Sequence, residues 1–120
     1  MSLDYVANNK NAPEPEHNEN SCGCDLLGYI HFAAGASVSP LSKLRVETYG
    51  RPPRVPYKST AEQCKKDAAL LRATPDDVFV ALLEKPAVKD CFGGTAQDFL
   101  DFVKEWSEFL ENCEGYEVPQ

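Results

Sequence analysis

Cys22-Gly23-Cys24 places two thiols one glycine apart. Two thiolates at that spacing can face one soft metal ion, and the glycine lets the backbone fold tightly enough for both to reach it. The same pair can form a strained, reducible disulfide and take part in thiol exchange. Zinc is the candidate metal. Cys22, Cys24 and His31 would be the first ligands, with His17, Cys64, Cys91 and Cys113 as the remaining pool. Structural zinc sites usually join two short-spaced knuckles, and this chain has one. Cys64 and Cys113 fall on apolar helical stripes, where a thiol is an ordinary small core residue. The expectation is therefore no cofactor, with a metal or thiol-redox module on Cys22-Gly23-Cys24 as the alternative.

His31 stands inside the apolar run LLGYIHFAA. Its plainer role is a half-buried imidazole bonded to the backbone. A catalytic role needs a nucleophile and an orienting acid. Ser37, Ser39 and Ser42 follow within a few residues, but no nucleophile elbow or ordered triad accompanies them. No catalytic residue is assigned.

Two charged sets remain. Arg51, Arg54, Tyr57 and Lys58 form a basic patch, continued by Lys65, Lys66 and Arg72. Such a set could hold phosphate or single-stranded nucleic acid. The net charge of −7 opposes a polyanion at long range, which argues against nucleic acid. The opposite set is Asp98, Asp101, Glu105, Glu108, Glu111 and Glu114, spaced by three and four residues. Like charges at that spacing cost a helix a few tenths of a kcal/mol per pair, so helix propensity does not call for them. Solubility is the plain explanation. The sharper one is a basic surface on a partner protein. The basic segment is the rival to that partner, since it could neutralise the stripe from within the chain.

The elements that carry these residues are legible in part. Residues 1–21 read as a disordered acidic tail, rich in Asn, Pro and Glu, from which Leu3, Tyr5 and Val6 could dock as a short strand or anchor. Residues 22–120 read as one globular domain. Leu26–Ala34 suits a strand by its aromatic and β-branched content, with a helix as the alternative. Lys43–Tyr49 alternates apolar and polar residues, as a half-buried strand does. Three prolines from Pro52 to Pro56 exclude a helix there. Three helices follow. Ser59-Thr60-Ala61-Glu62 is a capping box, and Ala61, Cys64, Ala68 and Leu71 are the stripe of the first. Thr74-Pro75-Asp76-Asp77 opens the second, which Pro86 ends or kinks, with another turn over Val88–Phe92 and a left-handed stop at Gly93-Gly94. Thr95-Ala96-Gln97-Asp98 opens the third, whose stripe is Phe99, Phe102, Val103, Trp106, Phe109, Leu110 and Cys113.

The fold expectation is α+β: a small antiparallel hairpin or sheet against about three C-terminal helices, with a mainly α fold as the alternative. No apolar run reaches transmembrane length, no basic and apolar leader opens the chain, and an odd count of five cysteines suits reduced thiols. Together these point to a cytoplasmic protein. The expected function is a small acidic interaction factor, of inhibitor, immunity or adaptor type, that occludes a basic site on another protein. A homodimer through the free edge of the hairpin is a further expectation.

Overall fold

The computed structural model describes residues 5–11 and 21–117, with side chains from residue 26 onward in the second stretch. Among them the chain runs β1 (Val6–Ala7), α1 (Ser21–Ala34), α2 (Ser42–Tyr49), β2 (Lys58–Thr60), α3 (Ala61–Ala73), α4 (Asp76–Leu82), α5 (Pro86–Cys91), α6 (Ala96–Asn112) and β3 (Gly115–Glu117). The fold is α+β, with a small antiparallel sheet of order β1-β3-β2.

The sheet is not the hairpin expected from sequence. Leu26–Ala34 is helical, part of α1. Leu26, Leu27, Ile30 and His31 are buried while Phe32 is exposed, which is the spacing of one helix face. Leu and Ala are strong helix formers, and Ile30 is the only β-branched residue in the run. Lys43–Tyr49 is also helical. None of Leu44, Val46 and Thr48 is buried, so their alternation marks no sheet face. Polar bonds tie this surface helix down instead. Ser42 Oγ lies 3.0 Å from Arg54 N, which donates to it, and 2.8 Å from Ser39 Oγ. Arg45 Nε donates to the Pro52 carbonyl at 3.0 Å. With no hairpin there is no hairpin edge, and the homodimer expectation loses its basis.

The sheet comes from segments far apart in the chain. Val6 pairs with Glu117 and Ala7 with Tyr116, while Lys58, Ser59 and Thr60 pair with Glu117, Tyr116 and Gly115. Of the tail expected over 1–21, residues 1–4 and 12–20 lie outside the described residues. Residues 5–11 do not behave as a tail. Tyr5 is buried, edge-on to Trp106 and Tyr116 at 5.3 Å from each ring centroid. Asn8 and Asn9 then cover the end of α6. Their backbone N–H groups donate to the Gly115 and Cys113 carbonyls, each at 2.9 Å. Their side-chain amides reach the carbonyls of Glu114 at 3.0 Å and Asn112 at 2.9 Å. A helix end leaves such carbonyls without internal partners, and this segment supplies them.

The C-terminal helices number four, because the turn after Pro86 is a helix of its own. Thr60, one residue later than expected, caps α3: its hydroxyl accepts from Gln63 N at 3.1 Å. Thr95 opens α6 as expected, and it forms a capping box with Asp98. Gly93 and Gly94 are not left-handed. Gly94 is needed for space, since a Cβ there would meet Asp98 Oδ2 at 2.9 Å and Phe92 Cε2 at 3.0 Å. α6 is the axis of the core and packs most extensively on α3. Its Trp106 is fully enclosed, stacked on Phe109 at 5.0 Å.

Candidate interaction face on the last helix

The six acidic residues of the stripe do not share one environment. Thr95 and its box fix the start of α6, and the apolar stripe from Phe99 to Leu110 turns the opposite side outward. Asp98 is occupied by capping. Its Oδ2 accepts from Thr95 N at 2.9 Å, and this backbone bond holds its carboxyl below the ordinary range. Asp101 accepts from Gln97 Nε2 at 3.0 Å. Glu111 meets Arg72 of α3 at 2.6 Å, and that guanidinium holds its carboxyl down. Glu108 is half-buried and adds its field to Arg72. Glu114 lies past the helix at φ 57°, its carbonyl tied to Asn8. Glu105 is exposed, and its carboxylate has no hydrogen bond or ion pair among the described residues.

Asp98, Asp101 and Glu105 line one side of a surface cleft of about 400 Å³, together with Phe102. Phe92, Gly93 and Gly94 line it as well, and the Phe92 and Phe102 rings stack at 6.1 Å. Three carboxylates around the cleft favour a cation through charge, while both rings are buried against each other beneath it. A second hollow of about 410 Å³ lies on the α3 and α4 side of the same helix. There Arg72 and Lys104 stand among Asp76, Asp101 and Glu108, so its charge is mixed.

The basic segment neutralises one end of the stripe. Arg72 takes Glu111, and Lys65 adds a weaker field there. Arg51, Tyr57 and Lys58 are exposed, and neither Arg51 nor Lys58 forms an ion pair among the described residues. Arg54 is half-buried, its backbone held by Ser39 and Ser42. The patch therefore stands as a separate surface.

His31 is not a free ligand. It is fully buried, deeper than the half-buried setting expected. Nδ1–H donates to the Ser37 carbonyl at 2.7 Å, and Nε2 accepts from Trp106 Nε1–H at 2.8 Å. Both ring nitrogens are committed to the protein. Burial holds its pKa below the ordinary value, opposed by the Ser37 carbonyl and by the charge of Asp67. Ser37 Oγ donates to Asp67 rather than to the imidazole, so the three side chains do not form a relay. Asp67 is fully buried and also accepts from Ser37 N and Gln63 Nε2, each at 3.0 Å. Its sequence signal was its place, three residues after Cys64 and one before Ala68, inside the apolar stripe of α3.

The cysteines divide. Cys91 is disulfide-bonded, while Cys64 and Cys113 are free and buried. The all-reduced expectation does not hold for Cys91. The adjoining Cys113 thiol, together with burial, pushes the Cys64 thiol well up, and Cys113 Sγ donates to the Leu110 carbonyl at 3.5 Å. The side chains of Cys22 and Cys24 lie outside those described; their backbone forms the first turn of α1. Among the described residues no three His, Cys, Asp or Glu side chains converge as metal ligands, and no helix is long and apolar enough to cross a membrane. Comparison with protein-family models, with curated proteins and with solved structures finds no match.

Proposed function

We propose that the protein is a small acidic interaction factor, of inhibitor, immunity or adaptor type, that occludes a basic site on a partner protein with the first half of α6. The observation that carries this reading is the cleft bounded by Phe92, Phe102, Asp98, Asp101 and Glu105. It fits a lysine or arginine side chain, whose cation would meet the carboxylates along its rim. Glu105 is the residue most available to it, while Glu111 is already taken by Arg72. Association would be fast and weakened by salt.

The test is affinity capture from the native cell, at low and high salt, on immobilised wild-type protein and on Glu105→Lys. The partner is the protein lost both in the variant and at high salt. Its measured association rate should fall in Glu105→Lys and stay near wild type in Glu111→Gln. An unchanged rate and salt slope in Glu105→Lys would reduce the stripe to solvated surface.

One observation favours the second reading, a thiol-redox module on Cys22-Gly23-Cys24. Cys91 is disulfide-bonded and ends α5, which packs on α1, the helix that begins with those cysteines. A disulfide there also favours an oxidising compartment over the cytoplasmic one expected from the cysteine count. Non-reducing peptide mapping and elemental analysis separate the outcomes. Zinc at one equivalent, lost in Cys22→Ser, would replace exchange chemistry with a metal site.

A further inference from the structure

The helix α2 has the opposite character to α6. Its cap and turns are satisfied by polar bonds, and of its residues only Ser42 is buried. It presents large apolar side chains to solvent: Leu41 is 63% exposed, Leu44 47% and Tyr49 65%. Tyr57, 49% exposed, stands on the returning proline segment. Between helix and segment lies a groove of about 420 Å³, lined by Pro40, Leu41, Pro56 and Tyr57 with Arg45 and Arg54. Residues 41–58 carry five cations, Lys43, Arg45, Arg51, Arg54 and Lys58, against the single acid Glu47. An apolar floor under guanidinium groups is concentrated here in a chain whose net charge is −7.

We infer that this groove docks a short acidic peptide segment of another protein, in which an apolar side chain is flanked by aspartate or glutamate. The apolar side chain would fill the floor between Leu41 and Tyr57, and a flanking carboxylate would meet the remaining donors of Arg45 as a forked, two-point pair. Arg45 spends its Nε on the Pro52 carbonyl, which orients the rest of the guanidinium. Charge complementarity selects the occupant. A phosphate polymer would meet the cations but leave the apolar floor empty. It would also extend over the acidic remainder of the protein, whereas a short peptide feels mainly the local patch, because exposed charges are screened beyond about 8–10 Å. A membrane surface has no single side chain to place in a concave groove. Strand addition is also disfavoured, since Pro52, Pro53 and Pro56 offer no N–H to pair. Recognition falls to side chains, as for peptides held in aromatic-lined grooves.

The test uses the full chain and a fluorescein-labelled peptide of alternating Glu and Leu, read by fluorescence anisotropy. Two matched peptides replace every Glu by Gln or every Leu by Ser. The alternating peptide should bind at least about tenfold more tightly than either, the effect of losing one good anchor. Leu41→Ser and Arg51→Glu, both at exposed positions, should each weaken it while leaving the unfolding midpoint unchanged. Amide shift changes on binding should be confined to residues 39–58. Absence of saturable binding overturns the inference. So does equal binding of the Gln peptide, or tighter binding of single-stranded DNA or anionic phospholipid vesicles under the same conditions.

Discussion

Trp106 donates its indole N–H to His31 Nε2 at 2.8 Å, deep between α6 and α1. The bond can exist only while that nitrogen carries no proton. With Nδ1–H held by the Ser37 carbonyl, the imidazole is fixed as one neutral tautomer. Its pKa in the folded chain lies below the ordinary 6.5, chiefly through burial. The unfolded chain therefore binds the proton first, and the stability this group contributes is complete above about pH 6.5. As pH falls below that value, stability should drop by up to about 1.4 kcal/mol per pH unit for this one proton. Urea unfolding between pH 7.5 and 5 measures it. In His31→Leu the slope attributed to this group should vanish, whatever the absolute stability. If the same slope persists there, another group is titrating.

Gly28→Ala should destabilise the protein. In most helix interiors that change gains about 1 kcal/mol from helix propensity. Here the added Cβ would collide with the Pro53 carbonyl, a backbone atom that no rotamer change can move. A Cβ well inside contact distance of that oxygen places the overpacking cost near its usual upper end, about 3 kcal/mol, which outweighs the gain. Denaturant titration decides the sign. A stabilised variant would mean that α1 and Pro53 do not approach as described.

Tyr5→Ala should cost about 3–5 kcal/mol, as large-to-small changes at buried aromatic sites do. A disordered tail would predict no cost at all. Deletion of residues 1–9 should be at least as damaging, because it also strips the carbonyls of Asn112, Cys113, Glu114 and Gly115 of their partners. Thermal unfolding of both variants against wild type gives the answer.

The two free thiols among the described residues should be silent in the native state. Cys64 and Cys113 are fully enclosed. An alkylating reagent should reach them only at the rate of opening, and both should react at once in denaturant. Cys91 should stay unmodified in denaturant until a reductant is added. Mass spectrometry of timed aliquots resolves the three positions. Rapid native labelling of Cys113 would contradict its burial.

The sequence was most legible where one local signal met one global demand. The Thr95 start, the stripe to Leu110 and the acids from Asp98 to Glu111 all describe the same helix, and only Glu114 falls past its end. Leu26–Ala34 carried two readings, and only the surroundings separate them. Among the described residues no strand lies beside its backbone, and a helix pairs its own amides. Lys43–Tyr49 misled for a different reason: its alternation does not correspond to any buried face. The sheet was invisible because its strands have two or three residues and lie about a hundred residues apart at the extremes. The cleft on α6 was half legible. Its carboxylates were countable in sequence, but Phe92 reaches them from a preceding segment, and Arg72 removes Glu111 through a tertiary contact.

β3 is the middle strand, bound on one side by β1 and on the other by β2. During vectorial synthesis, β1 and β2 emerge first with nothing to pair with. Tyr5, Asn8 and Asn9 must wait for nearly the whole chain before their partners exist. The helices can begin to form as they leave the ribosome, but the cap on α6 and the sheet close together at the end. Folding should therefore finish in one late, long-range step, slower than expected for so helical a chain. A nascent chain stopped before Gly115 would lack Tyr116, and Tyr5 would have no third strand to hold it against Trp106.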